Sequence, residues 1–252
     1  MSSPEFCFFQ LATKLSLIEL IELGFELCGS YSLPRNTTTN KDNAPDKGKA
    51  PNENCDMNPN ANTDSSQKTL FNRTPLSSIK KLLMFTLHME GVHGRSRALQ
   101  ALRYIVENSA SPMETTLVML LTLPYKLGGY GFPYPKLNSR ITPAKAAKGS
   151  ANKAFYSCDL FWPDKALAVE YDSDAYHTGP ERIASDSKRR NSLTSMGIQV
   201  ITVTNQQIRN TEEFNKVAKQ LATGLEKRLQ FKNPGFTEAR NALRSALLSA
   251  DG

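Results

Sequence analysis

Residues 154–172, AFYSCDLFWPDKALAVEYD, decide the fold that the sequence predicts. Apolar and polar residues alternate over 154–162, and a second run over 166–172 carries Leu167, Val169 and Tyr171 at alternate positions. A period of two is typical of β-strands. The three residues between the runs include a proline and an aspartate, so we predict a tight β-hairpin.

Further elements are predicted on both sides of this hairpin. Periodicity and turn residues predict helices over 4–28, 76–90, 96–107, 181–196, 211–230 and 236–249, and another beginning at Ser111. Ser111, Pro112 and Glu114 have the pattern of a capping box at a helix start. Residues 124–135 predict a loop with one short strand, and 198–204 predict a last strand. This order indicates an α/β fold, a mixed sheet flanked by helices and preceded by a helical N-terminal part.

A polar segment divides the chain. Residues 34–69 contain eight Asn and four Pro but no Leu, Ile, Val, Phe, Tyr or Trp. Such a segment buries too little apolar surface to offset its ordering entropy, so we expect a disordered linker, with an ordered polar loop as the alternative. The predicted organisation is an N-terminal helix in 1–33, the linker, a helical segment over 70–110, the main domain over 111–230 and a C-terminal helix in 231–252.

Charge is unevenly distributed about this linker. Residues 1–69 carry six Lys and Arg against nine Asp and Glu, a net charge of −3. Residues 70–252 carry 25 basic against 15 acidic side chains, a net charge of +10. A basic domain favours polyanionic partners such as nucleic acid, although a basic soluble protein without such a partner is the alternative.

Composition argues against several other classes of protein. The four Cys form no C-x-x-C pair and only three His are present, which argues against a zinc or histidine-ligated metal site. Sparse Cys suits a reducing compartment, so we expect a cytoplasmic protein. The longest apolar stretch, residues 11–28, is interrupted by one Lys and three Glu, so we expect no membrane span. The N-terminus lacks the basic region of a signal peptide.

Three carboxylates fall on the predicted hairpin. Asp159 lies in its first strand, and Glu170 and Asp172 lie two residues apart in its second strand, on one face of the sheet. Clustered carboxylates repel one another unless a cation or water separates them. The spacing is therefore compatible with a Mg²⁺ or Mn²⁺ site, or with edge-strand acids that face water.

Several motifs surround these acids. They are CDLFWP at 158–163, LAVEYDS at 167–173, His177, Asp186 with Arg189 and Arg190, Leu193, and GIQVITVT at 197–204. Together they resemble the PD-(D/E)XK nuclease superfamily, most of all the domains of unknown function related to very-short-patch-repair endonucleases. The resemblance covers residues 111–222 and implies a restriction-endonuclease-like sheet acting on DNA more readily than on RNA. The helical segments 3–29 and 70–110 resemble those of abortive-infection antitoxin-like regulators.

The resemblance implies a role for each matching residue. Asp159 and Glu170 match the two metal-binding acids, and Glu114 matches an acid that many members carry on the preceding helix. Asp172 stands where the superfamily has Lys, so the cation beside the attacking water is missing there. Arg190, or its neighbours Lys188 and Arg189, could supply that cation. His177 matches a general base or a phosphate contact, whereas a structural or solvated loop histidine is the alternative.

Two functions follow from these observations. The first is Mg²⁺- or Mn²⁺-dependent hydrolysis of DNA phosphodiesters, in repair or defence, because a metal ion activates water and carboxylates hold the metal. The second is a non-catalytic nucleic-acid-binding or regulatory protein on a degenerate nuclease fold. The Asp at the Lys position favours the second, because resemblance of fold does not establish activity.

Overall fold

The computed structural model describes residues 2–33, 69–142, 155–172, 180–231 and 235–248, and the structural statements below concern those residues. Residues 34–68, which are nearly all of the predicted linker, lie outside the described part of the chain. The disorder predicted for the linker therefore stays a prediction.

Helices occupy most of the described chain. They are α1 (Pro4–Leu11), α2 (Leu17–Cys28), α3 (Ile79–His88), α4 (Arg95–Leu102), α5 (Pro112–Thr122), α6 (Pro180–Ser195), α7 (Asn205–Arg209), α8 (Thr211–Gly224) and α9 (Phe236–Leu248). Among these described helices, none has the length and apolarity needed to cross a bilayer.

One mixed sheet of four strands lies among these helices. The strands are β1 (Lys136–Ile141), β2 (Tyr156–Trp162), β3 (Leu167–Asp172) and β4 (Gln199–Thr204), in the spatial order β1-β2-β3-β4. The first three strands are antiparallel, and α6 crosses over so that β4 runs parallel to β3. The predicted α/β fold, a mixed sheet flanked by helices and preceded by a helical part, is confirmed.

Local boundaries differ from the prediction at several places. The helices predicted over 96–107 and 211–230 are shorter in the structure, and α7 was not predicted. The helix predicted over 4–28 is two helices, because Ser16 caps the start of α2 and exchanges hydrogen bonds with Glu19. The structure has no strand within 124–135, where one was predicted: this segment holds a 3-10 turn at Tyr125–Leu127, and β1 begins only at Lys136.

The N-terminal helices share their core with the sheet. Fully buried side chains from α1, α2, α5, β3 and α8 form one apolar cluster; examples are Phe8, Phe25, Leu117, Val169 and Phe214. A smaller cluster lies on the other face of the sheet, under α6, and contains Cys158, Ala168 and Leu193. Because α2 and α5 pack in the same core, the N-terminal part positions the helix on which Glu114 lies.

One carboxylate of α2 is poorly solvated within this packing. Burial raises the pKa of Glu22 to about 7, and the negative charge of Glu19 one turn earlier adds to the effect. The folded protein therefore holds this proton more tightly than the unfolded chain does. Stability must fall as the pH rises from about 4.5 to about 7 and remain lower above that range.

We predict that Glu22→Gln abolishes this part of the pH dependence. Above pH 7 the variant should be more stable than the wild type by on the order of 3 kcal/mol, and near pH 4 the two should be equal. Urea denaturation across this pH range measures the difference. Glu90→Gln, at an exposed position, is the control. Parallel pH profiles for the wild type and Glu22→Gln would contradict the assignment.

Candidate active site

The pairing of β2 with β3 stops before Asp159. The register pairs Trp162 with Leu167, Phe161 with Ala168 and Leu160 with Val169, and the described ladder ends there. Instead, the backbone N–H of Tyr171 donates to the Asp159 carboxylate, with 2.8 Å between N and Oδ2. The Asp159 side chain thus replaces a backbone carbonyl as the acceptor for this N–H of β3. Asp159 and Glu170 lie at the point where the two strands open.

An arginine from α6 bridges this opening. The Nη2 atom of Arg189 donates to Glu170 Oε1 at 2.6 Å and also to the carbonyl oxygen of Ser157 on β2. About one fifth of the Glu170 side chain and one third of the Arg189 side chain are exposed, so the pair is half-buried. Arg189 therefore links the two strands on the α6 side of the sheet.

Strand β2 changes its facing at Asp159. Leu160 and Trp162 lie in the main core, whereas Tyr156 and Cys158 lie in the second cluster under α6. Regular alternation would place all four on one face, so the strand is kinked between Cys158 and Leu160. On the neighbouring strand β1, Asn138 lies at this same level and has φ +46°, a left-handed conformation that Asn tolerates better than most residues.

Asn138 also contacts the third acid. Its Nδ2 atom donates to Glu114 Oε2 at 2.7 Å and to the carbonyl oxygen of Asn108 at 2.8 Å. Glu114 lies in the first turn of α5, where the predicted capping box is present in altered form. Ser111 Oγ accepts from the Glu114 N–H as predicted, but the glutamate accepts from the N–H of Ala110 instead of Ser111. Glu114 is thereby held at the helix start on the sheet side.

The three acids interact electrostatically through Asp159. Loss of hydration on burial raises the pKa of Glu114, of Asp159 and of Glu170. The charge of Asp159 raises the pKa of Glu114 and of Glu170 further. Arg189 opposes the burial effect at Asp159 and Glu170. Arg190 also lowers the pKa of Glu170, by its charge and less than Arg189 does. The site is therefore a desolvated acidic cluster with guanidinium groups of α6 beside Glu170.

Arg190, Asp172 and His177 are the other predicted site residues, and the structure describes the first two. Arg190 is exposed and donates to Thr202 Oγ1 on β4 at 3.2 Å, so Arg189 and not Arg190 contacts the Glu170 carboxylate. Asp172 ends β3 and pairs with Thr204 of β4. His177 lies outside the described residues. From the sequence, either Arg189 or Arg190 could supply the missing cation. The sequence alone does not show which of two adjacent residues on a helix faces the sheet.

The donor set can be compared with the needs of a divalent metal ion. Within the described ranges, no group of three or more His, Cys, Asp or Glu side chains is arranged to hold a metal. The Glu114 carboxylate already accepts from Ala110, Ser111 and Asn138.

Asp159 and Glu170 are also engaged, by the Tyr171 N–H and by Arg189, but each carboxylate keeps further acceptor capacity. Mg²⁺ is commonly held by one or two carboxylates together with substrate phosphates. Asp159 and Glu170 have the donor chemistry that such an ion takes, and the metal role implied for Glu114 stays a prediction.

Comparison with known proteins identifies relatives but no activity. No family model matches the chain, and no solved structure matches it significantly. Two proteins of Mycobacterium tuberculosis, one from strain CDC 1551 / Oshkosh and one from strain H37Rv, are each 28% identical to it over 119 residues, and both are described as uncharacterised. The match covers 47% of this chain and 38% of each relative. The chain therefore spans about two fifths of the curated relatives it matches.

We predict that Arg189 stabilises the opened hairpin through Glu170. Arg189→Met leaves a half-buried carboxylate without its cation and should cost roughly 1–3 kcal/mol in urea denaturation. Arg190→Met, the matched control on the next residue, should change stability by less than about 0.5 kcal/mol. Adding Glu170→Gln to Arg189→Met should recover part of the loss, because the unpaired charge is then gone. Additive effects of the two substitutions would contradict the predicted coupling.

Proposed function

We propose that the chain hydrolyses phosphodiester bonds of DNA with a divalent ion, Mg²⁺ or Mn²⁺, bound between Asp159 and Glu170. The observation that carries the proposal is the meeting of these two desolvated carboxylates where β2 and β3 separate. The order α5-β1-β2-β3-α6-β4 supports it, because this helix, hairpin and crossover arrangement is the one that the nuclease resemblance implies. The net charge of +10 over residues 70–252 supports an anionic polymer as substrate.

The chemistry divides between the ion and the chain. A bound divalent ion would lower the pKa of its water and polarise the phosphate oxygens. Asp159 is oriented by the Tyr171 N–H, and Glu170 is held by Arg189. With a phosphate bound beside Glu170, the Arg189 guanidinium would supply positive charge to offset the negative charge that grows in the reaction. Arg189 would then take the electrostatic role of the Lys that Asp172 replaces.

A specific observation also favours the non-catalytic alternative. Glu170 is already paired with Arg189 at 2.6 Å, and three hydrogen bonds satisfy Glu114. A carboxylate set that is neutralised by its own protein partners needs no metal to be stable. A nucleic-acid-binding protein built on a nuclease-like sheet would have this arrangement, with basic side chains contacting phosphates without cutting.

We predict that Asp159→Asn and Glu170→Gln each lower the rate of plasmid nicking in Mg²⁺ or Mn²⁺ by at least about a hundredfold. Their affinity for DNA should be equal to or higher than that of the wild type, because each removes a negative charge that repels phosphate. Asp164→Asn, which removes the same charge from an exposed position in the same hairpin, is the matched control and should cut normally. Nicking by the wild type should stop in EDTA.

The opposite results separate the two functions. A wild type that binds DNA but never cuts it with either metal, and whose melting is equally insensitive to both metals, supports the non-catalytic function. Cutting that is unchanged in both carboxylate variants would place the reaction at another site. No DNA or RNA binding at low salt would contradict both functions.

A further inference from the structure

An open groove lies beside the candidate active site. It has a volume of about 860 Å³ and runs between the turn after α4, residues 103–108, and the outer side of edge strand β1. Three basic side chains line it, Arg103 on one wall and Lys136 and Arg140 on the other. All three are exposed, so their charges face solvent or a ligand in the groove.

The acid in this lining is already engaged. Among the described residues that line the groove, Glu107 is the one acid, and its Oε1 accepts from the backbone N–H of Ile79 at 2.7 Å. Ile79 is the first residue of α3, where a carboxylate interacts favourably with the helix dipole. With three basic side chains and one acid, the lining has a net positive charge, which favours an anionic ligand.

Two exposed aromatic rings accompany these cations. Tyr134 is 47% exposed and its hydroxyl donates to the carbonyl oxygen of Arg103 at 2.9 Å, which ties its ring to the opposite wall. Phe155 is 43% exposed, and the Arg140 guanidinium lies 4.6 Å from the centroid of its ring. The indole N–H of Trp162 donates to the Pro133 carbonyl oxygen at 2.8 Å and anchors the segment that carries Tyr134. Tyr134 therefore lines the groove itself, and Phe155 lies next to it, against Arg140 of the lining.

The groove and the acidic cluster meet at one residue. Asn138 lines the groove, donates across it to the Asn108 carbonyl oxygen, and donates to Glu114 of the cluster. Asn138 therefore connects the groove to Glu114, whose carboxylate interacts electrostatically with Asp159. A small anion would contact only part of the groove, whereas a polymer can contact its whole length.

We propose that this groove binds one unpaired strand of nucleic acid, with Arg103, Lys136 and Arg140 contacting phosphates and with bases stacking on Tyr134 and Phe155. An unpaired strand is favoured over a duplex because the faces of its bases are free to stack on aromatic rings and guanidinium planes. A basic groove with aromatic side chains is the arrangement that binds single strands with little sequence preference. The proposal deepens the proposed function, on which it rests for the identity of the reaction, but the binding itself needs no metal.

The test measures binding under conditions that prevent cutting. Fluorescence anisotropy in EDTA compares labelled oligothymidylate of about 16 nucleotides, oligouridylate of that length and a matched DNA duplex. The wild type should bind the single strands more tightly than the duplex. Tyr134→Leu and Phe155→Leu should each weaken single-strand binding roughly fivefold or more. Tyr134→Phe should weaken it less than Tyr134→Leu, because it keeps the ring and loses only the hydrogen bond to the Arg103 carbonyl oxygen.

Two matched substitutions of basic residues distinguish binding in the groove from nonspecific attraction by the positive charge of the protein. Arg140→Met and Lys219→Met each remove a cation that lies over a phenylalanine ring, but Lys219 lies on α8 and does not line the groove. Arg140→Met should lower the slope of log K against log salt by about 0.7 for a single strand, and Lys219→Met should not. Phe6→Leu, at an exposed ring on α1, is the corresponding control for the aromatic substitutions. Melting temperatures confirm that each variant is folded.

Several outcomes would overturn the groove proposal. These are no single-strand binding, a preference for the duplex, or equal effects of the groove and control substitutions. Failure of cutting alone leaves these binding results unaffected, so the proposed reaction and the proposed strand site fail separately. Binding of oligouridylate alone supports the groove while contradicting DNA as the substrate.

Discussion

The candidate site depends on one hydrogen bond, from the backbone N–H of Tyr171 to the carboxylate of Asp159. A buried N–H must find an acceptor, and here an acidic side chain supplies it. Pairing between β2 and β3 ends at this point, and the Ser157 carbonyl and the Glu170 carboxylate turn to Arg189 instead. The kink that accompanies the opening also sets the facing of β2 on the two apolar clusters. Asp159, Glu170 and Arg189 therefore lie together at a local break in the hydrogen-bond ladder between β2 and β3.

Packing by the N-terminal helices holds the other side of this site. The Tyr31 hydroxyl bonds to Thr115 of α5 at 2.8 Å, deep in the core, and α2 packs beside α5 and α9. Because α5 carries Glu114, these contacts bring the third acid to Asn138 and couple it to Asp159. The segment before the linker and the sheet after it thus form one structural unit around the acids.

Features with a local cause could be predicted from the sequence, and features set by tertiary packing could not. The hairpin follows from alternation and a Pro-Asp-Lys turn, and the meeting of Asp159 with Glu170 follows from that hairpin. The break between α1 and α2 had a signal that the periodicity obscured, namely Ser16 followed three residues later by Glu19. The choice of Arg189 over Arg190 depends on how α6 is rotated on the sheet. The hydrogen bond from Asn138 to Glu114 likewise depends on how β1 packs beside the start of α5, which no local pattern reveals.

The central claim, that Asp159 and Glu170 form a metal-dependent site, is tested most directly by titrating Mn²⁺ while following the melting temperature of the wild type and of Asp159→Asn. Binding to the folded state stabilises it by about 2.7 kcal/mol when free metal is a hundredfold above its dissociation constant. The wild type should therefore melt at a higher temperature as Mn²⁺ is added, and Asp159→Asn should not respond. An equal shift in both proteins, or a shift in neither, would contradict a metal ion between the two carboxylates.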